Sequence, residues 1–353
     1  MLAFAELSLT AQTAYAQALD AAIGAEHMRS VADLSGSFAA KTVKGHKYWY
    51  YQYTEPAGKL RQVFVGPDND AVRGLIARKG QPAVTGSLAP LARSAIALGC
   101  ADILPRHFQV LKRLAEYGFF RAGGILVGTH AFIAFGNMLG VRWREASRTQ
   151  DIDFAHPGKN IALALAPDLE VNTHEAIDSL GMGFLPVAGL AGKGGAAYLN
   201  PREPEFRLDF LTTLRRSGEE PYEHPVLHVM LQPLKFMEFS LEQVQQTALL
   251  AEAGAVLVNV PHPARYALHK LIVAGERAGA FQAKANKDLQ QAGMLLSVLR
   301  ERRAWEVEEV WQDLLSRGSG WVKRVRRGLA ALNRLEPQLD VLRWLRLPQS
   351  AEK

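Results

Sequence analysis

Cysteine is almost missing from this chain, with Cys100 as the single one among 353 residues. One cysteine excludes an intramolecular disulfide and any zinc site built from several thiolates, and such usage is typical of a reducing compartment. His130, His156, His262 and His269 have none of the spacings typical of a zinc site, so we predict that they are structural or exposed. Stability is therefore expected to come from packing.

Long apolar runs are missing as well. The longest nearly uncharged stretch, residues 125–135, is too short to cross a bilayer and contains Gly128, Thr129 and His130. At the N-terminus, Glu6 interrupts the apolar stretch and no basic segment precedes it, unlike a secretory signal. We expect no membrane contact and a cytoplasmic location.

Two common phosphate-binding patterns are also absent. The sequence contains neither G-x-x-x-x-G-K-[ST] nor G-x-G-x-x-G, which excludes a P-loop and a Rossmann dinucleotide site. The 41 Lys and Arg against 35 Asp and Glu give a formal net charge of +6, a weak indication of a polyanionic partner. The stretch 317–327, RGSGWVKRVRR, has five basic residues and no acidic one, so it is either a solvated helix face or a nucleic-acid contact.

The patterns that are present indicate an α+β fold in three parts. Residues 1–117 combine helices with a β-hairpin, KYWYYQYTEPAGKLRQVFVGPD, whose turn is residues 56–59, and end in a helical stretch over 89–117. Residues 118–260 show a strand, a Gly-rich turn, a helix and further strands, which predicts a sheet of at least four strands. Residues 261–353 are predicted to form a C-terminal helical bundle.

The strand sequence TQDIDFAH carries two aspartates at alternate positions between apolar residues. Residues two apart on a strand face the same side, so Asp151 and Asp153 are expected to project together. A divalent cation between them would remove their repulsion; otherwise they are strand-end carboxylates, solvated or hydrogen-bonded to backbone amides. Asp209, in the similar setting EFRLDFL, is a candidate third ligand, although it could instead pair with Arg207 or Arg215.

Gly128 and Thr129 close the short apolar strand that follows Gly123-Gly124, just before a helical segment. Such a turn exposes backbone N–H groups and a hydroxyl at a helix N-terminus, where the local dipole favours phosphate. The turn is weak evidence of a nucleotide site when taken alone.

Together these residues resemble the DNA polymerase β-like nucleotidyltransferase superfamily, whose pattern is a Gly-Gly/Ser/Thr turn, a helix, an Asp-x-Asp strand and a third acid on a later strand. The separation of Thr129 from Asp151 is similar to that in its abortive-infection (AbiEii-like) and tRNA-modifying toxin branch. The segments GGILVGTHAFIAFGNMLGVRW, TQDIDFA and HPARYALHKLIVAGER also resemble a bacterial family of predicted nucleotidyltransferases, over most of the chain.

The resemblance implies a nucleotidyltransferase-fold mixed sheet and an active site that uses Mg²⁺ or Mn²⁺. Its catalytic and metal-binding residues would be Asp151, Asp153 and Asp209, and its nucleotide-binding residues Gly128, Thr129, Lys270 and Asp288. Lys270 could instead be a surface lysine, and Asp288 could cap its helix or pair with Lys284 or Lys287.

The expected activity is transfer of a nucleoside monophosphate from an NTP to an acceptor hydroxyl, with release of pyrophosphate. The resemblance, the basic stretch and the aromatic hairpin with Lys41, Lys44 and Lys47 favour an RNA acceptor, with a tRNA end as one candidate, and a toxin with an antitoxin partner. One alternative is a non-catalytic nucleotide-binding module with a regulatory or partner-binding role. Another is a nucleotidyltransferase that modifies a protein or a small molecule.

Overall fold

The structure, a computed structural model, describes residues 4–28, 36–54, 60–79, 88–143, 149–158, 171–188, 194–214, 218–277 and 282–346. Helices and strands are interspersed as far as residue 261, and the described residues beyond it are helical. The predicted α+β class is therefore confirmed.

The described N-terminal part contains four strands and four helices. In chain order they are β1 (Phe4–Glu6), α1 (Leu9–His27), β2 (Ser37–Val43), β3 (His46–Thr54), β4 (Leu60–Pro67), α2 (Asp70–Lys79), α3 (Leu88–Ala97) and α4 (Pro105–Glu116).

Two expectations for this part need correction. The helical stretch predicted over 89–117 is two helices, because Gly99 adopts a φ of +110° and Pro105 occupies the first turn of α4. The predicted hairpin is present as β3 and β4, but β2 pairs with β3 as well, which makes a three-stranded antiparallel sheet. The predicted turn at 56–59 lies outside the described residues.

The central part contains most of the strands. They and their helices are β5 (Ile125–Leu126), α5 (Gly128–Met138), β6 (Val141–Trp143), β7 (Ile152–His156), α6 (Thr173–Asp178), β8 (Leu185–Ala188), β9 (Gly194–Asn200), β10 (Glu203–Thr213), β11 (Tyr222–His224), β12 (Val229–Leu234), α7 (Met237–Leu241), β13 (Val244–Ala251) and β14 (Gly254–Pro261).

The main sheet has seven strands and is mixed, as predicted. Its path is β11-β12-β10-β7-β5, with β9 beside β10 and β8 beside β9. β10 runs parallel to both β7 and β12, whereas β5, β9 and β11 are antiparallel to their neighbours. Ile152 and Phe154 are fully buried, and Phe154 stacks on Phe210 of β10 with ring centroids 5.1 Å apart. Alternation along β7 therefore directs Asp153 to the opposite face.

The described C-terminal residues form the expected helical bundle. Its elements are α8 (Pro263–Glu276), α9 (Gln282–Arg302), α10 (Ala304–Ser316), α11 (Ser319–Leu335), a short 3-10 helix (Pro337–Leu339) and α12 (Val341–Trp344). None of the described helices combines the length and the apolar character needed to cross a membrane.

The N-terminal helices α1 and α3 pack on the β13–β14 hairpin, in an apolar cluster separate from the main core. Its buried members include Ala11 and Ala18 of α1, Ala92 of α3, and Ala248 and Leu250 of β13. The boundaries expected at 117/118 and 260/261 stay predictions.

Helices α8 and α11 approach closely because each has a glycine at the contact. A Cβ atom on Gly328 would lie 2.1 Å from the Leu271 carbonyl oxygen, and one on Gly275 would lie 2.3 Å from the Arg324 carbonyl oxygen. Both obstructing atoms belong to backbone, which cannot rotate aside as a side chain can. The contact therefore fixes the position of α8 in the bundle.

We expect Gly328→Ala to lower the free energy of unfolding by roughly 1–3 kcal/mol, because the added methyl group forces the two helices apart. Urea denaturation followed by circular dichroism measures this change. Gly24→Ala in α1 is the matched control, since a Cβ there meets nothing within 4 Å and the better helix former should be neutral or stabilising. Equal stability of the two variants would contradict the close contact.

Candidate active site

Three carboxylates meet on one face of the main sheet. Asp153 of β7 and Asp209 of β10 are paired in register across the two parallel strands, and Asp151 immediately precedes β7. Each offers an oxygen, and these oxygens lie within 4.8 Å of one another. The structure thus brings together the three aspartates that the sequence singles out, and the register of β7 with β10 accounts for their proximity.

The three carboxyl groups have different electrostatic surroundings. Burial, followed by the charges of Asp151 and Asp209, raises the pKa of Asp153 to about 6. Burial also raises the pKa of Asp209, against the opposing effect of Arg207. For Asp151, burial is outweighed by a hydrogen bond from Thr149, by its own backbone amide and by the charges of Lys287 and Lys284, so its pKa is lowered. Negative charge at Asp153 is therefore disfavoured without a nearby cation.

Arg207 contacts Asp209 from two positions earlier on β10. Its Nε and Nη2 atoms lie 2.8 and 2.5 Å from Oδ2 of Asp209, and neither contact uses Oδ1. The pairing considered from the sequence is thus present with Arg207, while Arg215 lies outside the described residues. One oxygen of Asp209 stays available to another ligand.

The turn at the start of α5 passes directly against the carboxylate of Asp153. Gly128 has a φ of +60°, and a Cβ atom there would lie 2.0 Å from Oδ2 of Asp153, so only glycine fits. The backbone N–H of Val127 donates to the Asp153 carbonyl oxygen at 2.9 Å, which ties the turn to β7. Thr129 is buried in the first turn of α5, where backbone N–H groups lack intrahelical partners. The turn therefore brings a helix N-terminus close to the carboxylates.

Lys270 of α8 and Asp288 of α9 form a buried ion pair, with Nζ 2.5 Å from Oδ1. Oδ2 of the same aspartate accepts a hydrogen bond from Arg277. Burial opposes the charge of Lys270, but Tyr266 and Asp288 outweigh it and the pKa of Lys270 is raised. The Tyr266 hydroxyl also donates to the Gly128 carbonyl oxygen at 2.9 Å. Asp288 thus holds two cationic side chains, and α8 is joined to the turn beside Asp153.

A cavity of about 640 Å³ lies between this face of the sheet and these helices. Asp153, Asp209, Gly128, Lys270 and Asp288 all line it. Its other Lys and Arg lining residues are Arg207, Lys235, Arg277 and Lys284. A cavity of this size, lined by both carboxylates and cations, suits a ligand that carries several negative charges and binds a metal ion.

Arg277, Lys284, Arg207 and Tyr266 are site residues that sequence reasoning did not select. Spacing offered a signal for three of them. Tyr266 lies four residues before Lys270 on α8, Lys284 lies four residues before Asp288 on α9, and Arg207 lies two residues before Asp209 on β10, so each shares a face with a selected residue. Arg277 directly follows the end of α8, and its position depends on its contact with Asp288.

The donor set fits a divalent cation. Three carboxylates provide only hard oxygen ligands, the type preferred by Mg²⁺ and Mn²⁺. A cation there would also relieve the repulsion that raises the pKa of Asp153. Asp151, Asp153 and Asp209 could therefore hold such an ion, and among the described residues no other group of three His, Cys, Asp or Glu side chains lies close enough to do so.

Residues 106–316 match the profile of a family described as nucleotidyltransferase, which is more than half of the chain. The chain belongs to this nucleotidyltransferase family. The match includes α4, the whole main sheet and helices α8 to α10, and so covers the carboxylates, the Gly128 turn and Lys270. The predicted nucleotidyltransferase fold is confirmed at this level, and the more specific toxin branch stays a prediction.

A crystal structure of an antigenic nucleotidyltransferase-like protein from Paracoccidioides brasiliensis also matches the chain. It is 15% identical, over 71% of this chain and 98% of that one, with a TM-score of 0.36. A TM-score of this size does not establish a shared fold. No match was found among proteins with curated descriptions.

Several histidines of the chain are buried or half-buried in neutral form. Burial is the main cause that lowers the pKa of His107, His130, His156, His262 and His269. His107 and His130 are joined by a ring-nitrogen contact of 2.9 Å, and their pKa values fall to about 4 and about 3. His156 accepts from the Gly158 N–H at Nδ1, so its Nε2 donates to the Ala122 carbonyl oxygen. These contacts indicate structural roles.

We expect the free energy of unfolding to fall as the pH is lowered from about 6.5 to 4. Over this window the unfolded chain binds protons at His107, His130, His156 and His269, whereas the folded chain, in which their pKa values are about 4 or, for His130, about 3, does not, so each contributes up to about 1.4 kcal/mol per pH unit. Asp153, whose pKa is about 6 folded and 3.8 otherwise, and Asp209, whose pKa is also raised, act in the opposite direction, but they are two groups against four. Urea denaturation in EDTA at several pH values measures the slope.

His156→Gln should reduce the slope of the unfolding free energy against pH by up to about 1.4 kcal/mol per pH unit, the contribution of one proton. Glutamine can keep a side-chain hydrogen bond but does not titrate. A slope equal to that of the unchanged protein would contradict a buried neutral His156.

Proposed function

We propose that this protein is an active, metal-dependent nucleotidyltransferase that moves a nucleoside monophosphate from an NTP to an acceptor hydroxyl. The observation that carries the proposal is the cluster of Asp151, Asp153 and Asp209 within 4.8 Å, together with the cavity that Asp153, Asp209 and Lys270 line. In the reaction, the acceptor oxygen bonds to the α-phosphorus, the bond from that phosphorus to the bridging oxygen breaks, and pyrophosphate leaves.

The proposed roles follow from charge and position. Asp151, Asp153 and Asp209 would hold Mg²⁺ or Mn²⁺, which when bound neutralises phosphate charge and lowers the pKa of the attacking hydroxyl. Gly128 allows close approach to Asp153, and the first turn of α5 with Thr129 offers N–H donors to phosphate oxygens.

Lys270 and Arg277 would face the triphosphate from the other wall of the cavity. Asp288 keeps both cations in place through its two oxygens, so we assign it a positioning role. An ion pair of this kind orients a lysine before the nucleotide arrives, which reduces the ordering that binding requires. Asp288 would therefore act on the nucleotide through its two cationic partners.

RNA is the proposed acceptor. Arg324 of the basic stretch pairs with Glu276, with Nε 2.7 Å from a carboxylate oxygen, and Glu276 lines the cavity. The basic stretch therefore contacts the cavity lining through Arg324, and an acceptor strand would carry its phosphates past this contact. A tRNA end as the acceptor and an antitoxin as a partner rest on the sequence resemblance.

Asp153→Asn should lower the rate of label transfer from α-³²P-NTP to the acceptor by roughly a hundredfold or more, because the cation site loses a charge. The same change should not lower the melting temperature of the ion-free protein, since it removes a disfavoured buried charge. The increase of melting temperature caused by Mg²⁺ should disappear. Each labelled NTP is tested with total RNA, purified tRNA, protein and metabolite extract.

Asp178→Asn is the matched control, because Asp178 is an exposed carboxylate at the end of α6. Full labelling by Asp153→Asn would refute the catalytic assignment. Stabilisation by NTP and Mg²⁺ without labelling of any acceptor would instead favour the non-catalytic binding module. Label that enters protein or a small molecule would refute the RNA acceptor while retaining nucleotidyl transfer.

A further inference from the structure

The three-stranded sheet formed by β2, β3 and β4 has two unlike faces. On one face, Tyr51 is only 3% exposed and its hydroxyl accepts a hydrogen bond from Lys79 of α2 at 3.2 Å. Trp49 on the same face donates to Asp68 at 2.9 Å, just before α2. Helix α2 therefore covers this face, and these rings are structural.

The opposite face carries a cluster of rings that no described helix covers. Tyr48 and Tyr50 alternate with Trp49 and Tyr51 along β3, and Phe64 of β4 is paired with Tyr50. The Phe64 ring centroid lies 6.0 Å from that of Tyr48 and 5.5 Å from that of Tyr50, yet Phe64 is 56% exposed. The exposed ring of Phe64 thus lies between the half-buried rings of Tyr48 and Tyr50, and these three rings are the open aromatic face.

The charge around these rings is of one sign. Residues 36–54 and 60–67 contain Lys41, Lys44 and Lys47 but no aspartate or glutamate. Lys41 belongs to the open face, with Nζ 4.7 Å from the Tyr50 ring centroid. Lys47 lies over Trp49 on the covered face, and Lys44 lies in the β2–β3 turn. A basic surface with exposed rings is complementary to phosphates joined to bases.

The basic stretch of α11 differs, because part of its charge is already compensated. Arg317 contacts Glu242 and lies 2.9 Å from Asp313, and Arg324 pairs with Glu276. It also offers one ring, Trp321, which packs against Phe236 with centroids 4.9 Å apart. The open sheet face therefore offers more rings for base stacking than α11 does.

We propose that Tyr48, Tyr50, Phe64 and Lys41 form a binding face for single-stranded RNA. Bases would stack on the exposed rings, and Lys41, with Lys44 at the edge of the sheet, would contact phosphates. The inference rests on the proposed function for the choice of RNA, since this face would hold the acceptor strand whose end is modified.

The test is fluorescence anisotropy of a labelled twelve-residue oligouridylate on the full-length protein, without NTP or divalent ion. Phe64→Ala should weaken binding roughly tenfold or more, because an exposed ring is lost. Lys41→Ala should reduce the slope of log K against log salt by roughly 0.7. The exposure of both side chains lets these variants fold, which melting temperatures verify.

Two variants are matched controls. Trp305→Ala removes a ring of similar exposure, 64%, from α10, and Lys47→Ala removes the same charge from the covered face. Both should bind oligouridylate as the unchanged protein does. Because binding is measured without NTP, failure of nucleotidyl transfer leaves this outcome unaffected.

Other outcomes would overturn the inference. These are no binding of oligouridylate by the unchanged protein, unchanged affinity and salt slope in Phe64→Ala and Lys41→Ala, or tighter binding of the matching oligothymidylate. Loss of binding only in the double variant R326A/R327A would assign the RNA to α11 instead. A change of sedimentation coefficient in Phe64→Ala with unchanged RNA affinity would identify the face as a contact between copies of the chain.

Discussion

Repulsion among three carboxylates is the constraint around which the cavity is arranged. Parallel strands in register put Asp153 beside Asp209, and the alternation of β7 adds Asp151 on the same face. Buried like charges at this distance are unfavourable, as the raised pKa of Asp153 records. A folded protein keeps such an arrangement where a bound group offsets the repulsion, and a divalent cation held by the carboxylates is the simplest such group.

Repulsion between like charges also affects the cations that line the cavity. Lys270 and Arg277 would repel each other without a counterion, and the buried Asp288 compensates the positive charge of both. Because Asp288 contacts them from α9, while Lys270 lies on α8 and Arg277 directly follows its end, the two helices hold the cations at a set distance from the sheet. A buried aspartate with two partners is strongly destabilising when either partner is lost, so the pairing also gives the two helices a fixed register.

Features set by neighbouring positions in the chain could be predicted from the sequence, whereas contacts between distant positions could not. The shared face of Asp151 and Asp153 follows from strand periodicity alone, and the C-terminal helices follow from their apolar spacing. The pairing of Asp153 with Asp209 depends on strand register between positions 56 residues apart, so periodicity could only nominate it. Tyr266 and Arg277 lie four residues before and seven residues after Lys270, but their contacts with Gly128 and Asp288 depend on packing between distant segments, which spacing does not reveal. The 89–117 stretch was mistaken for one helix because apolar spacing continues across Gly99 and Pro105.

The hydrogen bond from Tyr266 to the Gly128 carbonyl oxygen joins the two sides of the cavity. One partner comes from the helical bundle and the other from the turn that touches Asp153, so neither side has its working geometry without the other. A chain shortened at residue 262 would keep Asp151, Asp153 and Asp209 and still lose the wall that defines the cavity. The sheet and α8 therefore form one structural unit around the cavity, and recombination between related genes would have to exchange them as one piece.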